Sequence, residues 1–138
     1  MIRPAIQKDI PDIKELMQSE PGFWQDSWRP DVLEHAIESA DSLAFVWEQN
    51  EQILGFICTH DVGFRAYLSE LIVAKSARSQ GIGKQLVEHV QAELTKRGCA
   101  VLISDVWRDA EGFYKSLGWE EPTVKLLHKH LNHTKRHK

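Results

Sequence analysis

The sequence has few of the features on which disulfide-bonded and membrane-spanning proteins depend. Its 138 residues include two cysteines, Cys58 and Cys99, which lack the close spacing of a metal site, and we expect both to be reduced thiols in a cytoplasmic protein. No apolar run approaches the roughly 20 residues that a transmembrane helix needs, and residues 1–4 do not open a signal peptide. We therefore expect a soluble protein without a membrane partner.

The chain also lacks a large excess of either positive or negative charge. The chain has 17 Lys and Arg against 20 Asp and Glu, a net charge of −3. With no global basic field to attract nucleic acid, any anion site has to be local. Because 42% of the residues are apolar and the length suits one core, we expect residues 1–138 to form a single domain, with about 132–138 as a frayed basic tail.

One stretch with two glycines organises the rest of the chain. A short apolar strand ends at Val73, and a helical pattern follows Gly81 and Gly83 with its apolar residues on one face: Ile82, Leu86, Val87, Val90 and Leu94. Glycine allows a sharp turn and the close approach of a ligand. The first N–H groups of a helix have no partner within it, and the helix dipole favours negative charge there. This pattern predicts a pyrophosphate site.

Two common phosphate-binding motifs do not fit this stretch. A P-loop, GxxxxGK[ST], would need glycine where Arg78 stands and Ser or Thr at Gln85, and a Rossmann fingerprint would need a third glycine at Leu86. What remains is R-x-x-G-x-G over residues 78–83, after a strand that reads L-x-E-L-x-V over residues 68–73.

This combination resembles the acyl-CoA motif of the GNAT family of N-acetyltransferases. Downstream, residues 113–119 (FYKSLGW) are similar to the family pattern F-Y-x-x-L-G-[FW]. The resemblance covers nearly the whole chain. It implies an α/β (α+β) fold, with a mixed, mostly antiparallel sheet splayed between strands 4 and 5 and helices on both faces. It also implies acetyl-CoA as co-substrate, no metal, and direct acetyl transfer to a primary amine in a ternary complex.

Periodicity and turn residues predict an order of elements that agrees with this family. Asp9 and Asp31 each precede a helical pattern, and Gly98 and Gly118 are placed to end two later helices. The expected strands are residues 2–5, a hairpin of 42–48 and 53–59, the central strand 67–74, a buried parallel strand 100–106 and a terminal strand 123–131. A short helix is expected over residues 109–117.

The resemblance assigns two catalytic residues. Tyr114 matches the tyrosine that protonates the leaving thiolate, and a phenol can donate a proton yet stay neutral at pH 7. Glu70 lies where some relatives carry the base that deprotonates the amine. Tyr114 packed in the core and Glu70 as a solvated carboxylate are the alternatives, and His60 and Asp61 are weaker candidates for the base.

The resemblance also implies how acetyl-CoA is held. The pantetheine arm would pair with the backbone of Leu71, Ile72 and Val73, often at a β-bulge, with the N–H of Ile72 as an oxyanion donor. The pyrophosphate would bind a turn formed by Arg78, Ser79, Gln80, Gly81, Ile82, Gly83 and Lys84, and Tyr114 would also contact the cofactor. Many relatives have Asn at the position of Trp107, whose indole has one donor and no acceptor, so this contact with the arm is expected to change.

The site that binds the acceptor amine is the part of the protein that the sequence determines least. In the family it lies against the first two helices and their connection, here residues 20–31, where Trp24, Trp28 and Asp26 could hold a cationic amine through ring faces and a carboxylate. An aromatic cluster that only packs the connection onto the sheet is the alternative. His128 and His130 lack a third well-spaced ligand, so no metal site is expected.

Three functional hypotheses remain open on the sequence alone. The leading one is acetylation of a small-molecule amine, and a protein-modifying acetyltransferase shares its chemistry. The third is a non-catalytic acyl-CoA sensor, which would have the same cofactor turn. No nucleic-acid partner is expected, and a homodimer through the edge of the terminal strand is an open alternative.

Overall fold

A computed structural model describes residues 1–131 of the chain, which form two compact units. The first is Met1–Ser104 and the second begins at Asp105. The expectation that the whole chain acts as one domain stays a prediction. The expected basic tail, residues 132–138, lies outside the described residues.

The first unit is a five-stranded sheet with three α-helices. Its strands are β1 (Ile2–Pro4), β2 (Ala44–Gln49), β3 (Gln52–Asp61), β4 (Ala66–Val73) and β5 (Leu102–Ile103), and its helices are α1 (Ile10–Gln18), α2 (Val32–Ala40) and α3 (Ile82–Lys96). The strand order is β1-β2-β3-β4-β5. The first three pairings are antiparallel and β4 pairs β5 in parallel, which confirms the predicted mixed, mostly antiparallel sheet.

The hairpin of β2 and β3 provides the centre of this sheet. Asn50 and Glu51 form its two-residue turn with φ of +52° and +64°, the backbone that matches the twist of a tight hairpin. The core is built from side chains of β2, β3, β4 and the three helices that are at most 2% exposed, among them Ile13, Met17, Val46, Phe56, Ile57, Leu68, Leu86 and Val90. Consecutive residues of β2 (44–46) and β3 (55–59) are buried, so both faces of this part of the sheet are covered, while every third or fourth helix residue faces the core.

Strand β4 carries a bulge and then leaves its parallel neighbour. Cys58 pairs with Glu70 while Thr59 pairs with Leu68, so Ser69 is an extra residue in β4. The bulge was expected near residues 71–73 and lies just before them. Pairing with β5 is confined to Ala66–Leu102 and Tyr67–Ile103, and within residues 1–104 the remainder of β4 is paired with β3 alone. The parallel ladder therefore ends where the splay is expected to begin, and the splay itself stays a prediction.

Strand β5 is shorter and more exposed than the apolar run suggested. The sequence predicted a buried strand over residues 100–106, but the strand covers Leu102–Ile103, with Val101 51% and Ile103 39% exposed. An apolar run becomes a long strand only where a neighbour continues the ladder, and in the first unit β4 has already diverged. The parallel direction of β5 relative to β4 was predicted correctly.

The second unit contains helix α4 (Glu111–Ser116), preceded by a 3₁₀ turn at Arg108–Ala110 and followed by Gly118 at φ +93°. The terminal strand predicted at residues 123–131 is wrong, because these residues form no strand and all of them are exposed. Alternation of apolar residues makes a strand only when a partner strand supplies hydrogen bonds and burial. The strand edge through which a dimer was expected is therefore not formed.

Among the described residues, no helix has both the length and the apolar character that crossing a bilayer requires.

An ion pair near the start of the chain connects β1, α1 and β2. The Asp9 carboxylate accepts hydrogen bonds from Arg3 Nη1 at 2.8 Å and Nη2 at 2.9 Å, and from the N–H of Ile6 at 2.9 Å. Arg3 Nε also donates to Glu48 Oε1 of β2 at 2.7 Å. Asp9 precedes α1 as predicted but does not cap it with its side chain. Instead its 5% exposed carboxylate joins the first turn of the fold to the sheet.

Replacing Asp9 with Asn should lower the free energy of unfolding at pH 7 by about 1.5–3 kcal/mol, since hydrogen bonds to a charged group are lost. The Arg3 hydrogen bonds hold the pKa of Asp9 below its ordinary value of 3.8, so this stabilisation is complete above that pH and is lost as the pH falls through the lowered pKa. Urea unfolding at pH 7 and pH 2.5 measures the effect.

The control for this change is Glu88→Gln on the exposed side of α3, which should alter stability by less than about 0.5 kcal/mol. A difference between wild type and Asp9→Asn that stays the same down to pH 2.5 would show that the ionised carboxylate is not its source.

Candidate active site

The turn after β4, residues 78–84, leads into α3 through two left-handed residues. Ser79 has φ +69° and Gly81, the residue before the helix, has φ +79°. The first intrahelical bond runs from the N–H of Gln85 to the carbonyl of Gly81 at 3.0 Å. The N–H groups of residues 82–84 have no partner within the helix, and Gly81 has no side chain to cap them. The turn thus has the donors that an anion requires.

A glycine in β3 sets how closely this helix start approaches the sheet. A Cβ at Gly55 would lie 3.1 Å from both Ile82 Cγ2 and Leu86 Cδ1, so only glycine accepts this contact without displacement. Ile82 is 2% exposed as a result. Gly55 was not among the residues predicted for the site, although glycine inside a strand pattern is a known signal of close backbone approach.

The charged residues of the turn differ in their contacts. Arg78 Nη2 forms an ion pair with Glu20 Oε1 at 2.6 Å, and Glu20 is mostly buried, with 12% of its side chain exposed. This pair fastens the turn to the connection between α1 and α2. Lys84 is exposed and forms no ion pair among residues 1–131, so its charge is available to an anion at the helix start.

A pocket of about 250 Å³ lies between α2 and the strands β3 and β4. Apolar side chains form part of its wall: Met17, Val32, Leu33, Ala36 and Phe56. Polar and aromatic residues line the rest: Trp28, Arg29, His35, Ser39, Cys58, His60, Ser69 and Glu70. Two residues predicted for different roles, Trp28 for the acceptor and Glu70 for the base, therefore line one cavity.

The polar part of the pocket is joined by hydrogen bonds that the sequence did not indicate. His60 Nε2 lies 2.9 Å from Ser69 Oγ, and His60 Nδ1 lies 3.3 Å from Ser39 Oγ. Burial lowers the pKa of His60, a trend that His35 reinforces and the Ser39 hydrogen bond opposes, so the ring is mostly neutral at pH 7. The sequence placed His60 at the end of the strand expected over residues 53–59, but residues distant in sequence supply its partners.

Cys58 lines the same pocket as an inert thiol. It is 0% exposed, and burial raises its pKa to about 12, with a hydrogen bond from Ser69 lowering it and the charge of Glu70 raising it further. A thiol that is protonated at every physiological pH is a poor nucleophile. This chemistry disfavours an acetyl-cysteine intermediate.

Three of the proposed residues lie outside the pocket lining. The rings of Trp24 and Trp28 meet edge to face at 5.2 Å, and Lys14 Nζ lies 5.3 Å from the Trp24 ring, so Trp24 serves the packing of the connection. Asp26 is exposed and does not line the cavity. Asp61 Oδ1 accepts a hydrogen bond from the N–H of Gly63 at 2.9 Å and so shapes the turn between β3 and β4.

Tyr114 lies in α4 of the second unit. It is 8% exposed, and its ring contacts Phe113 and Trp119 with centroids 5.1 and 5.0 Å apart. The indole N–H of Trp119 is buried without a hydrogen-bond partner in the described part of the chain. Trp107, at the position of the family asparagine, is 54% exposed.

The two histidines near the end of the described chain contact each other through tilted rings. The rings of His128 and His130 have centroids 5.0 Å apart. No group of three or more His, Cys, Asp or Glu among residues 1–131 is arranged to hold a metal ion.

Comparison with known proteins identifies the family of this fold. The sequence model described as the acetyltransferase (GNAT) family matches residues 10–119. The chain is 36% identical over 86 residues to the [ribosomal protein bS18]-alanine N-acetyltransferase of Escherichia coli strain K12, covering 60% of this chain and 58% of the relative. It is 32% identical over 97 residues to the peptidyl-lysine N-acetyltransferase YiaC of the same strain, covering 66% and 64%.

A solved structure agrees with these sequence matches. The crystal structure of the ribosomal-protein-S18-alanine N-acetyltransferase from Escherichia coli superposes with a TM-score of 0.75 at 28% identity, covering 89% of this chain and 79% of that one. In sequence, the match spans about three fifths of the length of the curated relatives.

Proposed function

Since the chain belongs to the acetyltransferase (GNAT) family, we propose that it is an acetyl-CoA-dependent N-acetyltransferase that acetylates a primary amine by direct transfer. One observation carries this proposal. Strand β4 runs from the polar end of the pocket, at Ser69 and Glu70, to Val73, and a 3₁₀ turn at Lys75–Ala77 then leads to the turn 78–84, where helix N–H groups are available to an anion. An amine in the pocket and a cofactor bound at the turn would therefore meet along this strand.

The residues of the turn and of β4 fit acetyl-CoA. The N–H groups of residues 82–84 and the charge of Lys84 suit a pyrophosphate, and Ser79, Gln80 and Gly81 shape the backbone around it. The backbone of Leu71, Ile72 and Val73 belongs to the part of β4 that pairs with β3 alone within the first unit, so it offers an open side to the pantetheine amides. The cofactor supplies the acetyl thioester.

Two side chains supply the proposed proton chemistry. The carboxylate of Glu70, in the wall of the pocket, attracts the ammonium form of the acceptor and is the proposed base. Tyr114 is the proposed acid for the leaving thiolate, and its burial between Phe113 and Trp119 keeps the phenol in a fixed orientation. Neither role requires the inert thiol of Cys58.

We propose a small-molecule amine as the acceptor. A cavity of about 250 Å³ holds the liquid volume of roughly eight water molecules and is smaller than the ~300–1,000 Å³ typical of drug-sized ligands. A protein acceptor is the second candidate, because the relatives are named for an alanine of a ribosomal protein and for peptidyl-lysine, and one residue also fits this volume. The free thiols of Cys58 and Cys99 support a cytoplasmic location.

Acetyl transfer by the purified wild type is the direct test of this function. We expect saturable binding of acetyl-CoA and CoA but not ATP, followed by release of CoA thiol with at least one of three small amines, tyramine, spermidine or kanamycin. A peptide beginning with Ala and an N-terminally blocked peptide with an internal Lys form the protein arms. Mass spectrometry of the products identifies which amine carries the acetyl group.

Each result of this panel separates the candidates. Turnover of a small amine alone supports the small-molecule acceptor, and turnover of a peptide alone supports protein modification. Binding of acetyl-CoA with no turnover of any amine would favour an acyl-CoA sensor. Absence of binding would overturn the proposed function and leave only the family fold.

Replacing Gly81 with Val should weaken acetyl-CoA binding about tenfold or more. A β-branched residue at φ +79° is strained by roughly 1–2 kcal/mol, and the strain is relieved by moving the first turn of α3 and its N–H donors. Calorimetric titration with acetyl-CoA measures the change. Gly63→Val is the matched control, because Gly63 has φ +95°, open space at its Cβ position and a place in a distant hairpin.

The two glycine variants should therefore lose similar thermal stability but differ in affinity. Equal loss of affinity in both would mean that general destabilisation, rather than the turn 78–84, accounts for the effect. Wild-type affinity in Gly81→Val would remove the turn from the cofactor site.

Replacing Tyr114 with Phe should lower kcat by on the order of 10²-fold with little change in the Kd of acetyl-CoA, because the change removes one hydroxyl and keeps the ring contacts. Steady-state rates and calorimetry measure the two quantities. Thermal unfolding checks that the variant keeps its packing. An unchanged kcat would exclude Tyr114 as the acid.

A further inference from the structure

A chain of three side chains crosses the pocket from strand β4 to the surface of α2. Ser69 Oγ lies 2.9 Å from His60 Nε2, and His60 Nδ1 lies 3.3 Å from Ser39 Oγ. All three residues line the pocket. Ser69 is the extra residue of the β4 bulge, next to Glu70, whereas Ser39 is exposed near the end of α2. The chain therefore connects the polar end of the pocket with solvent.

Ser69 and Ser39 each have a second acceptor for their hydroxyl proton. Ser69 Oγ can donate to the carbonyl of Cys58 at 3.2 Å, and Ser39 Oγ can donate to the carbonyl of Ala36 at 3.2 Å. A hydroxyl is both donor and acceptor, so each serine can face the histidine in either role.

Two complete hydrogen-bond arrangements follow from these partners. In one, Ser39 donates to His60 Nδ1, the Nε2–H group donates to Ser69, and Ser69 donates to the Cys58 carbonyl. In the other, Ser69 donates to Nε2, the Nδ1–H group donates to Ser39, and Ser39 donates to the Ala36 carbonyl. Both leave every hydroxyl and both ring nitrogens paired, so neither tautomer of His60 is excluded by an unsatisfied polar group.

The surroundings of His60 suit proton transfer near neutral pH. It shares the pocket lining with His35 of α2 and with Arg29 of the connection before α2, and on its own strand Cys58 Sγ lies 3.6 Å from Nε2. From β4 it faces Glu70 in the pocket wall and the ring of Tyr67, stacked at 6.5 Å. Burial lowers the pKa of His60, so the neutral ring has one nitrogen able to accept a proton and one able to donate it.

We propose that Ser69, His60 and Ser39 form a proton relay that carries the proton lost by the acceptor amine from the pocket to solvent. This inference rests on the proposed acetyltransferase function. It assigns two residues that the family resemblance does not, Ser69 and Ser39, and gives His60 a relay role in place of the base. It also supplies an exit for the proton that Glu70 attracts with the amine. These are relay residues acting on the amine's proton, and the cofactor turn is not involved.

The relay moves one proton and changes no other bond. Glu70, the proposed base, takes the ammonium proton and passes it to Ser69 Oγ as the hydroxyl proton of Ser69 passes to His60 Nε2. The Nδ1 proton then passes to Ser39 Oγ, and the hydroxyl proton of Ser39 passes to water. The sum is ammonium plus water giving neutral amine plus hydronium. When the product has left and water fills the pocket, exchange through Ser69 restores the starting tautomer.

The test compares Ser69→Ala, Ser69→Thr and His60→Gln, with kcat/KM measured from pH 6 to pH 10 for the primary amine of the panel that wild type acetylates. At pH 7 we expect Ser69→Ala and His60→Gln to lose about 10²-fold, the lower end of the range for acid–base catalysis. Ser69→Thr keeps a hydroxyl and should stay within about threefold of wild type. His128→Gln, an exposed histidine of the second unit, is the control and should match wild type.

The pH dependence distinguishes a relay from a structural role. Above the pKa of the free amine the acceptor arrives neutral and needs no relay, so the losses should shrink to about twofold. A loss that is the same at every pH, or no loss in Ser69→Ala, would overturn the relay while leaving the acetyltransferase intact. No acetyl transfer by wild type would instead overturn the proposed function, and the relay with it.

A second measurement keeps the relay testable if Ser69→Ala fails to fold. The ¹⁵N shifts of the His60 ring in the wild-type protein should both lie between those of a protonated and an unprotonated nitrogen, since both tautomers are populated. One ring nitrogen that carries the proton throughout pH 6–8 would overturn the relay.

Discussion

The structure depends on the way strand β4 is paired. Its ladder with β3 runs from Ala66 to Val73, but its parallel ladder with β5 stops at Tyr67. Backbone groups in a sheet need partners, so a strand that keeps only one neighbour leaves donors and acceptors for a ligand. The same strand carries the Ser69 bulge at the pocket and is followed by residues 74–77, which lead to the turn 78–84. The pocket and the proposed cofactor-binding residues thus follow one another along one segment.

The sequence predicted this segment well because its signals are local. A short apolar run, two glycines and a helical stripe occur within residues 67–97, and each determines its own backbone. The hairpin at Asn50–Glu51 and the helix stops at Gly98 and Gly118 were predicted for the same reason. The sequence did not predict how short β5 is, or that residues 123–131 form no strand. An extended apolar run becomes a strand only when another part of the chain pairs with it.

The pocket was predicted only in part, since its members come from separate elements. Glu70 and Trp28 were found through the family resemblance, but Ser39 and Ser69 gain their meaning from distances to His60 that no local pattern contains. Gly55 is a similar case, because its role depends on Ile82 and Leu86 lying across the sheet–helix contact. Side-chain chemistry that depends on tertiary neighbours is the part that single-sequence reasoning reaches last.

The pair of Arg78 and Glu20 shows how the two halves of the site are joined. Arg78 was expected to help form the cofactor turn, and its guanidinium binds a carboxylate of the connection that carries Trp28 to the pocket. A half-exposed ion pair contributes at most about 1 kcal/mol to the free energy of unfolding. The main effect of this pair is therefore to position the turn 78–84 against the connection. Because the pair holds the connection that carries Trp28 against the turn that precedes α3, the proposed anion site would take its charge mainly from helix N–H groups and Lys84.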